Sequence, residues 1–352
     1  MIYLNTAATG IVSKETLEAA EAFLKQLSIN SSQAAEHWRS ELMSNIRKET
    51  AHFMGVQAEN LAFIPNFSIG WTAVLMSLPK DASFLIYRHD YPSLLDPILS
   101  NGFQHFWIEG DDDFHISFEE IEYQLMHQRP SFMVISHVQW LSGFKIDLEK
   151  LGHLCKQYGT ALIIDGTQSL GAFNLHLKTL PVDVFIASNY KWMNAGFGTG
   201  VLYMTDHFFK THPPILRGYN SYSFKNNEMV YESSLRDMEP GHLNMSGLLM
   251  LQKAVEEKMK MGLEKIEAHN YSLSHYFLES LQTIPFPIVG PYQMDNRSSI
   301  LFLKDQDGWG NYLKEQGVVL TLRKGNIRIS FHFYNTKEEL DQVLKIIKSR
   351  KI

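Results

Sequence analysis

Ala161-Leu-Ile-Ile-Asp-Gly-Thr-Gln-Ser-Leu-Gly171 and, shortly after it, Val182-Asp-Val-Phe-Ile-Ala-Ser-Asn-Tyr-Lys-Trp192 decide how this chain is read. Each is an apolar run that stops at polar residues: Ile163 and Ile164 give way to Asp165, and Phe185, Ile186 and Ala187 give way to Ser188 and then Lys191. Two similar runs, Phe84-Leu-Ile-Tyr87 and Phe132-Met-Val-Ile-Ser136, precede them, with amphipathic helix-like stretches between, from about residue 14 to 205. Short apolar strands alternating with helices predict an α/β fold whose mostly parallel central sheet is sandwiched by helices. Ligands of such sheets gather beyond the carboxyl ends of the strands, which makes Ser136, His137, Asp165 and Ser188 the first candidates for a site.

Past residue 242 the pattern changes. Apolar positions at helical spacing between about 245 and 282 predict one long helix and a second after it. Residues 298–303 and 318–331 read as strands, the latter as a hairpin with Lys324-Gly325-Asn326 at its turn. A final helix from Lys337 carries Leu340, Val343, Ile346 and Ile347 on one face. A chain of 352 residues exceeds what one hydrophobic core usually serves. The expected organisation is a large domain over 14–242 and a smaller α+β domain over 243–352, joined by the N-terminal segment 1–13.

With 45% hydrophobic and 20% charged residues, the composition is that of a globular protein. A net charge of −6 gives no general attraction to nucleic acid or to an anionic membrane surface. There is no basic, then apolar, leader pattern at the N-terminus and no run of roughly 18 apolar residues that would span a bilayer. The single cysteine, Cys155, has no partner for an internal disulfide and reads as a small buried apolar residue. A cytoplasmic protein acting on small molecules is expected, and no metal is called for.

Burying Asp165 unpaired at a strand end is unfavourable, so a cationic partner is expected, and Lys191 after the neighbouring run can supply it. Pyridoxal 5′-phosphate needs such a pair. A lysine amine forms a Schiff base with its aldehyde, and a carboxylate keeps its ring nitrogen protonated. Taken alone, the two residues leave a structural ion pair open as the plainer alternative.

The pattern Asp165-x-x-Gln168 followed by Ser188-x-Tyr190-Lys191 resembles the class V aminotransferase family of fold-type I pyridoxal enzymes. That family includes cysteine desulfurases, kynureninase and isopenicillin-N-epimerase-like proteins. The resemblance runs from Tyr3-Leu-Asn-Thr-Ala-Ala8 to Arg328-Ile-Ser-Phe-His-Phe-Tyr-Asn-Thr336. It implies the Schiff base on Lys191, Asp165 at the ring nitrogen, Gln168 as donor to the phenolic oxygen and Ser188 as a phosphate ligand. The backbone of Phe67 and the side chain of Ser68 are implied at the phosphate too, where a helix N-terminus offers free N–H donors. Tyr91 would lie on the face of the ring, with His137 and Trp140 beside the cofactor, although His137 reads equally as a buried structural histidine. Arg328 would grip the substrate's α-carboxylate with two parallel N–H groups, and Asn5 and Ala7 would line the same pocket. The chain departs from the family at Phe67, at Trp140 where desulfurases carry asparagine, and at Tyr190 where histidine precedes the lysine. It departs again at His242 in Glu239-Pro-Gly-His242, where the family's threonine reaches the phosphate of the partner in a homodimer.

A desulfurase needs a thiolate on a loop shortly before the carboxylate-binding arginine, and residues 304–327 contain no cysteine. That disfavours a persulfide-forming desulfurase, and the family's general label implies an aminotransferase of class V type. The alternatives are an epimerase or racemase, or a β- or γ-lyase of selenocysteine-lyase-like character without a persulfide cysteine. All begin with proton removal from the substrate, with Lys191 as base. Two further classes are weighed. Gly196-Phe-Gly-Thr-Gly200 precedes a strand instead of following one, which argues against a dinucleotide fingerprint. A non-catalytic relative that uses the scaffold for binding would have no need of Lys191.

Overall fold

Seven strands form the central sheet, in the spatial order Leu61–Ile64, Gly200–Met204, Val184–Ser188, Ala161–Asp165, Phe132–Ser136, Ser83–Tyr87 and Gln104–Ile108. They belong to a computed structural model that describes residues 1–231, 233–282, 287–290 and 294–350. Gly200–Met204 runs antiparallel to both neighbours, and the other pairings are parallel. The α/β expectation therefore holds. The physical reason lies in the alternation of side chains along each strand. Leu85, Met133, Ile135, Leu162 and Phe185 pack into one hydrophobic cluster, while Phe84, Phe132, Val134, Ile163 and Ile186 pack into the cluster on the opposite face. With both faces covered, the inner positions of these strands are apolar, which is why the strands appear in the sequence as apolar runs that end at polar residues.

One face is covered by helices Lys14–His37, Met43–Met54, Phe118–Gln128, Leu148–Gln157 and Met245–Met261, and the other by Phe67–Met76, Pro92–Ser100 and Asp206–Thr211. Local chemistry starts them: Asp147 accepts the N–H groups of Glu149 and Lys150, each at 3.0 Å, at the head of Leu148–Gln157. The chain steps from Ser83–Tyr87 out to Gln104–Ile108, then back to the other side of Ser83–Tyr87 to build Phe132–Ser136. That reversal opens a crevice at the carboxyl ends of these two strands.

A second sheet, in the order Ile288–Val289, Ile300–Lys304, Asn326–Ser330 and Thr321–Arg323, is wholly antiparallel and packs with helices Leu263–Leu281 and Lys337–Ser349. The strand expected over 318–331 divides in the structure. Val318–Val319 pairs in parallel with Ile2–Tyr3, and only Thr321–Arg323 forms the hairpin. The turn consists of Lys324 and Gly325 alone, both at positive φ (49° and 69°), which suits the twist of a two-residue hairpin and leaves Asn326 in the strand. Residues 2–11 cross between the two sheets: Leu4 is bonded on one side to Val319 and on the other to Ser330, each at 2.9 Å, and Gly10 donates to Tyr190 O at 2.9 Å. Among the described residues no helix is long and apolar enough to cross a membrane.

Glu239 ties the segment after the central sheet back to its edge. Its carboxylate is fully buried, accepts both forks of Arg47 at 2.8 and 2.7 Å and takes the Phe63 N–H at 2.6 Å. Replacing Arg47 with Met leaves that carboxylate buried without its cation. The expected loss is about 3–5 kcal/mol of unfolding free energy in a urea titration; a loss under about 1 kcal/mol would mean the pair holds nothing together.

Candidate active site

The carboxyl ends of Ala161–Asp165 and Val184–Ser188 open on a cavity of about 590 Å³, and Asp165 and Lys191 both line it. Asp165 is 5% exposed and accepts the Thr167 N–H at 2.8 Å. Burial pushes its carboxyl up to about 7, against the downward pull of the Thr167 hydrogen bonds and of Lys191. Lys191 is 6% exposed, and its Nζ stands 5.6 Å from the ring centres of both Tyr91 and Tyr190 with no hydrogen bond among the described residues. Burial and the nearby Arg328 lower its amine to about 7, and Asp165 opposes them. The lysine is thus a buried amine that readily sheds its proton near neutral pH, sharing one cavity with a carboxylate.

At another part of the wall, helix Phe67–Met76 begins. Asn66 caps it by accepting the Ile69 N–H at 3.0 Å, and Ser188 Oγ accepts the Phe67 N–H at 2.8 Å. The Phe67 amide, Ser68 and Ser188 therefore converge where a helix N-terminus meets a strand end, an arrangement that favours an anionic group. Tyr91 packs edge-on against Trp140, with ring centres 5.6 Å apart, and both line the cavity. Tyr190 stacks on Phe197 at 4.9 Å, and burial raises its hydroxyl to about 12. Gln168 lines the cavity too, but it is already engaged: Nε2 donates to Ala7 O at 3.1 Å and Oε1 accepts from Trp192 Nε1 at 2.7 Å. One amide hydrogen is left to face a ligand.

Arg328 comes from the second sheet and is 4% exposed. One Nη donates to Trp140 O at 2.8 Å, while Nε has no partner among the described residues. Burial, followed by the nearby Arg323, lowers its guanidinium to about 10. It remains a cation whose unused donors await an anion.

Arg328 is not itself among the residues that line the cavity, although its charge acts on Lys191, and four further expected residues lie elsewhere. Asn5 is committed to the second sheet, pairing with Ser330 and accepting from Thr321 Oγ1 at 2.7 Å, and Ala7 N donates to Ser330 Oγ at 2.8 Å; the neighbouring Ala8 and Thr9 line the cavity instead. His137 points away, with its ring 5.8 Å from Phe173, and burial drives it down to about 3, so it is a neutral core histidine while Ser136 takes the wall. His242 is exposed, beside Tyr219 at 6.4 Å and away from this cavity. At Ala7 and His137 the adjacent residue, Ala8 or Ser136, takes the wall instead, a matter of one position that a strand-end motif leaves open.

Sequence reasoning also missed residues that hold the site. Asp90, 3% exposed, accepts the backbone N–H of Ser136 at 2.8 Å, Gln139 Nε2 at 3.1 Å and the Tyr91 N–H at 2.7 Å, and it also takes the Ser136 hydroxyl. It thereby locks the two loops flanking the topological reversal. The signal was available: Asp90 follows the run Phe84–Tyr87 as Asp165 follows its own. Trp192 and Thr167 orient Gln168 and Asp165, but nothing in sequence marks them out. The free amine, the facing carboxylate, the Phe67–Ser188 corner and the flat Tyr91 ring together fit pyridoxal phosphate.

The Aminotransferase class-V family model matches residues 2–343. A probable cysteine desulfurase of Pyrococcus abyssi (strain GE5 / Orsay) is 24% identical over 377 residues, covering 99% of this chain and 93% of that protein. Among solved structures, the apo cysteine desulfurase of Thermococcus onnurineus NA1 superposes with a TM-score of 0.87 at 23% identity, covering 99% of this chain and 95% of the other. The complex of the cystine C–S lyase C-DES with its product cysteine persulfide reaches a TM-score of 0.89 at 19% identity, covering 99% and 97%. At these identities the structural likeness speaks for the fold.

The depressed lysine has a thermodynamic signature. Between pH about 7 and the ordinary lysine value of 10.5, the unfolded chain carries a proton on Lys191 that the folded chain has lost. The site's contribution to stability therefore rises with pH across that window. In cofactor-free protein, the stability of wild type minus that of Lys191→Met should grow with pH over that range, by at most about 1.4 kcal/mol per pH unit. Urea titrations at stepped pH measure it, and a flat or falling difference contradicts a depressed amine.

Proposed function

Because the chain belongs to the class-V aminotransferase family, we propose that it acts on the α-carbon of a free amino acid, with Lys191 carrying the proton. Its cofactor is pyridoxal 5′-phosphate. When bound, this group supplies an aldehyde that condenses with amines and a ring that withdraws electrons from the α-carbon. The observation that carries the reading is the buried Lys191 amine, without a hydrogen bond among the described residues, sharing one cavity with Asp165.

Each residue has a role in this reading. Asp165 holds a proton on the cofactor's ring nitrogen, and its burial keeps competing water away. Lys191 takes the substrate's α-proton, for which an amine lowered to about 7 is suited, since an effective base titrates near the working pH. Arg328 turns its unused N–H groups to the α-carboxylate and fixes the α-carbon relative to Lys191. Ser68 and Ser188, whose hydroxyl oxygen is oriented by the Phe67 N–H, would hold the phosphate, Tyr91 would cover the ring and Trp140 would close the substrate side. The enzyme is read as a cytoplasmic homodimer whose substrate is a small-molecule amino acid.

Transamination is the reaction proposed, in keeping with the family's own description. Elimination from a sulfur amino acid is the second reading, favoured because curated relatives from Pyrococcus abyssi and Escherichia coli O139:H28 are named as desulfurases. Sulfur would then leave with the product rather than on the enzyme. Cys155, the sole cysteine, is 1% exposed with its thiol 3.6 Å from Met133 Sδ, and burial pushes that thiol up to about 12. Such a thiol is neither nucleophilic nor reachable.

The reading is tested by adding a panel of amino acids to the cofactor-loaded protein. Conversion to the pyridoxamine spectrum with release of a keto acid supports transamination, whereas pyruvate with sulfide supports elimination and a racemised amino acid supports epimerisation. Lys191→Ala should lower kcat by about 10²- to 10⁴-fold, and Cys155→Ala should leave it unchanged. Loss of activity in Cys155→Ala, or a cofactor spectrum that no amino acid alters, would overturn it.

A further inference from the structure

We propose that Lys258, on helix Met245–Met261, is a positioning residue for Lys191, acting through Asn194 on the turn that carries the active amine. The proposal rests on the assignment of Lys191 above. Asn194 closes that turn by donating its N–H to Lys191 O at 3.1 Å, and it does so at φ 60°, a left-handed conformation that costs a non-glycine residue energy. Its side chain is held from three directions. Oδ1 accepts from Lys258 Nζ at 2.7 Å and from His332 Nε2 at 3.2 Å, and Nδ2 donates to Ile11 O at 3.0 Å. A helix of the first layer, the end of a second-sheet strand and the N-terminal segment thus meet on one amide three residues from Lys191.

Lys258 is an unusual choice for that place. It is 1% exposed, forms no salt bridge among the described residues, and lies 4.7 Å from the Phe333 ring. Burying an amine this way is unfavourable, and methionine would fill the space without desolvation. Burial lowers the amine to about 7, and the charge of Glu257 acts in the opposite sense. His332 opposite is kept uncharged by its own burial, with Lys258 adding to the effect. A neutral imidazole fits its bonds: Nε2 lies 2.9 Å from Trp192 O, and Nδ1 lies 3.3 Å from Asn270 Nδ2. The packing is built around this arrangement. A Cβ on Gly171, at φ 88°, would meet Trp192 O at 2.7 Å and Lys258 Cε at 2.9 Å, and one on Gly10 would meet Lys191 O at 1.9 Å. Lys258 does not line the cavity, so it acts on Lys191 only through the turn.

The cofactor-loaded protein tests this by the pH titration of its visible absorbance band, which needs no substrate. Lys258→Met should bind the cofactor yet shift the midpoint by about one pH unit, and Lys258→Gln, which keeps a donor for Asn194, should restore most of it. Where a substrate is known, kcat should fall about tenfold with KM changed less than about twofold. Asn194→Ala should reproduce the shift, and the double variant should shift no further than either single one, because the residues act as one unit. Should Lys258→Met fail to fold, Asn194→Ala alone decides. A wild-type titration in Lys258→Met or Asn194→Ala, or additive shifts in the double variant, overturns the proposal. Failure of the Lys191 assignment is separate: wild type itself would then show no band.

Discussion

Everything in this molecule is arranged around two ionisable groups kept out of water at the ends of adjacent strands. Asp165 and Lys191 are each about 5% exposed, and desolvation pushes the carboxyl up and the amine down, toward the neutral forms. Only a rigid surround holds such groups apart and poised, because a softer one would let water in or let the two collapse into an ordinary ion pair. The seven-stranded sheet, apolar on both faces, provides that surround. Its strands end at the same level and deliver polar residues into one crevice.

The rest of the chain closes the crevice instead of building it. Residues 2–11 link the two sheets and press Gly10 against the backbone of Lys191. The second sheet contributes Arg328 from the strand Asn326–Ser330, and just beyond that strand His332 bonds the turn after Lys191. Asp90 fastens the loops on the far side through bonds to Ser136, Gln139 and Tyr91. The cofactor end and the substrate end of the cavity thus depend on different layers that share one backbone turn, so movement of the second sheet relative to the first reaches Lys191 directly.

The chemistry-bearing residues on the central strands were legible because each is a polar residue ending an apolar run, and such a residue is exceptional in a buried sheet. Of these, Asp165 and Ser188 line the cavity with Lys191, and so do Gln168, Ser68 and Tyr91, whose roles only the family resemblance implied. The readings that failed concern direction. His137 was placed correctly at a strand end, but the strand's alternation gives the wall to Ser136. Ala7 fell one residue short of Ala8, and Asn5 three. The hairpin was legible, but its partners were not, since Val318–Val319 leaves it to pair with Ile2–Tyr3 from the opposite end of the chain.

The sequence by itself determined the alternation of strand and helix, through local periodicity, and singled out Asp165 and Lys191 as residue types whose burial demands a reason; the family was legible only as a resemblance carried by the motif around Asp165, Gln168, Ser188 and Lys191. Only the tertiary structure decided which neighbour turns inward, that Gln168 is already bonded to Ala7 and Trp192, and that Cys155 is sealed beside Met133. It alone brought Lys258 beneath the turn of Lys191. Those facts depend on contacts between segments far apart in the chain, and the free energy of such contacts is set by packing and desolvation, which the order of residues does not display.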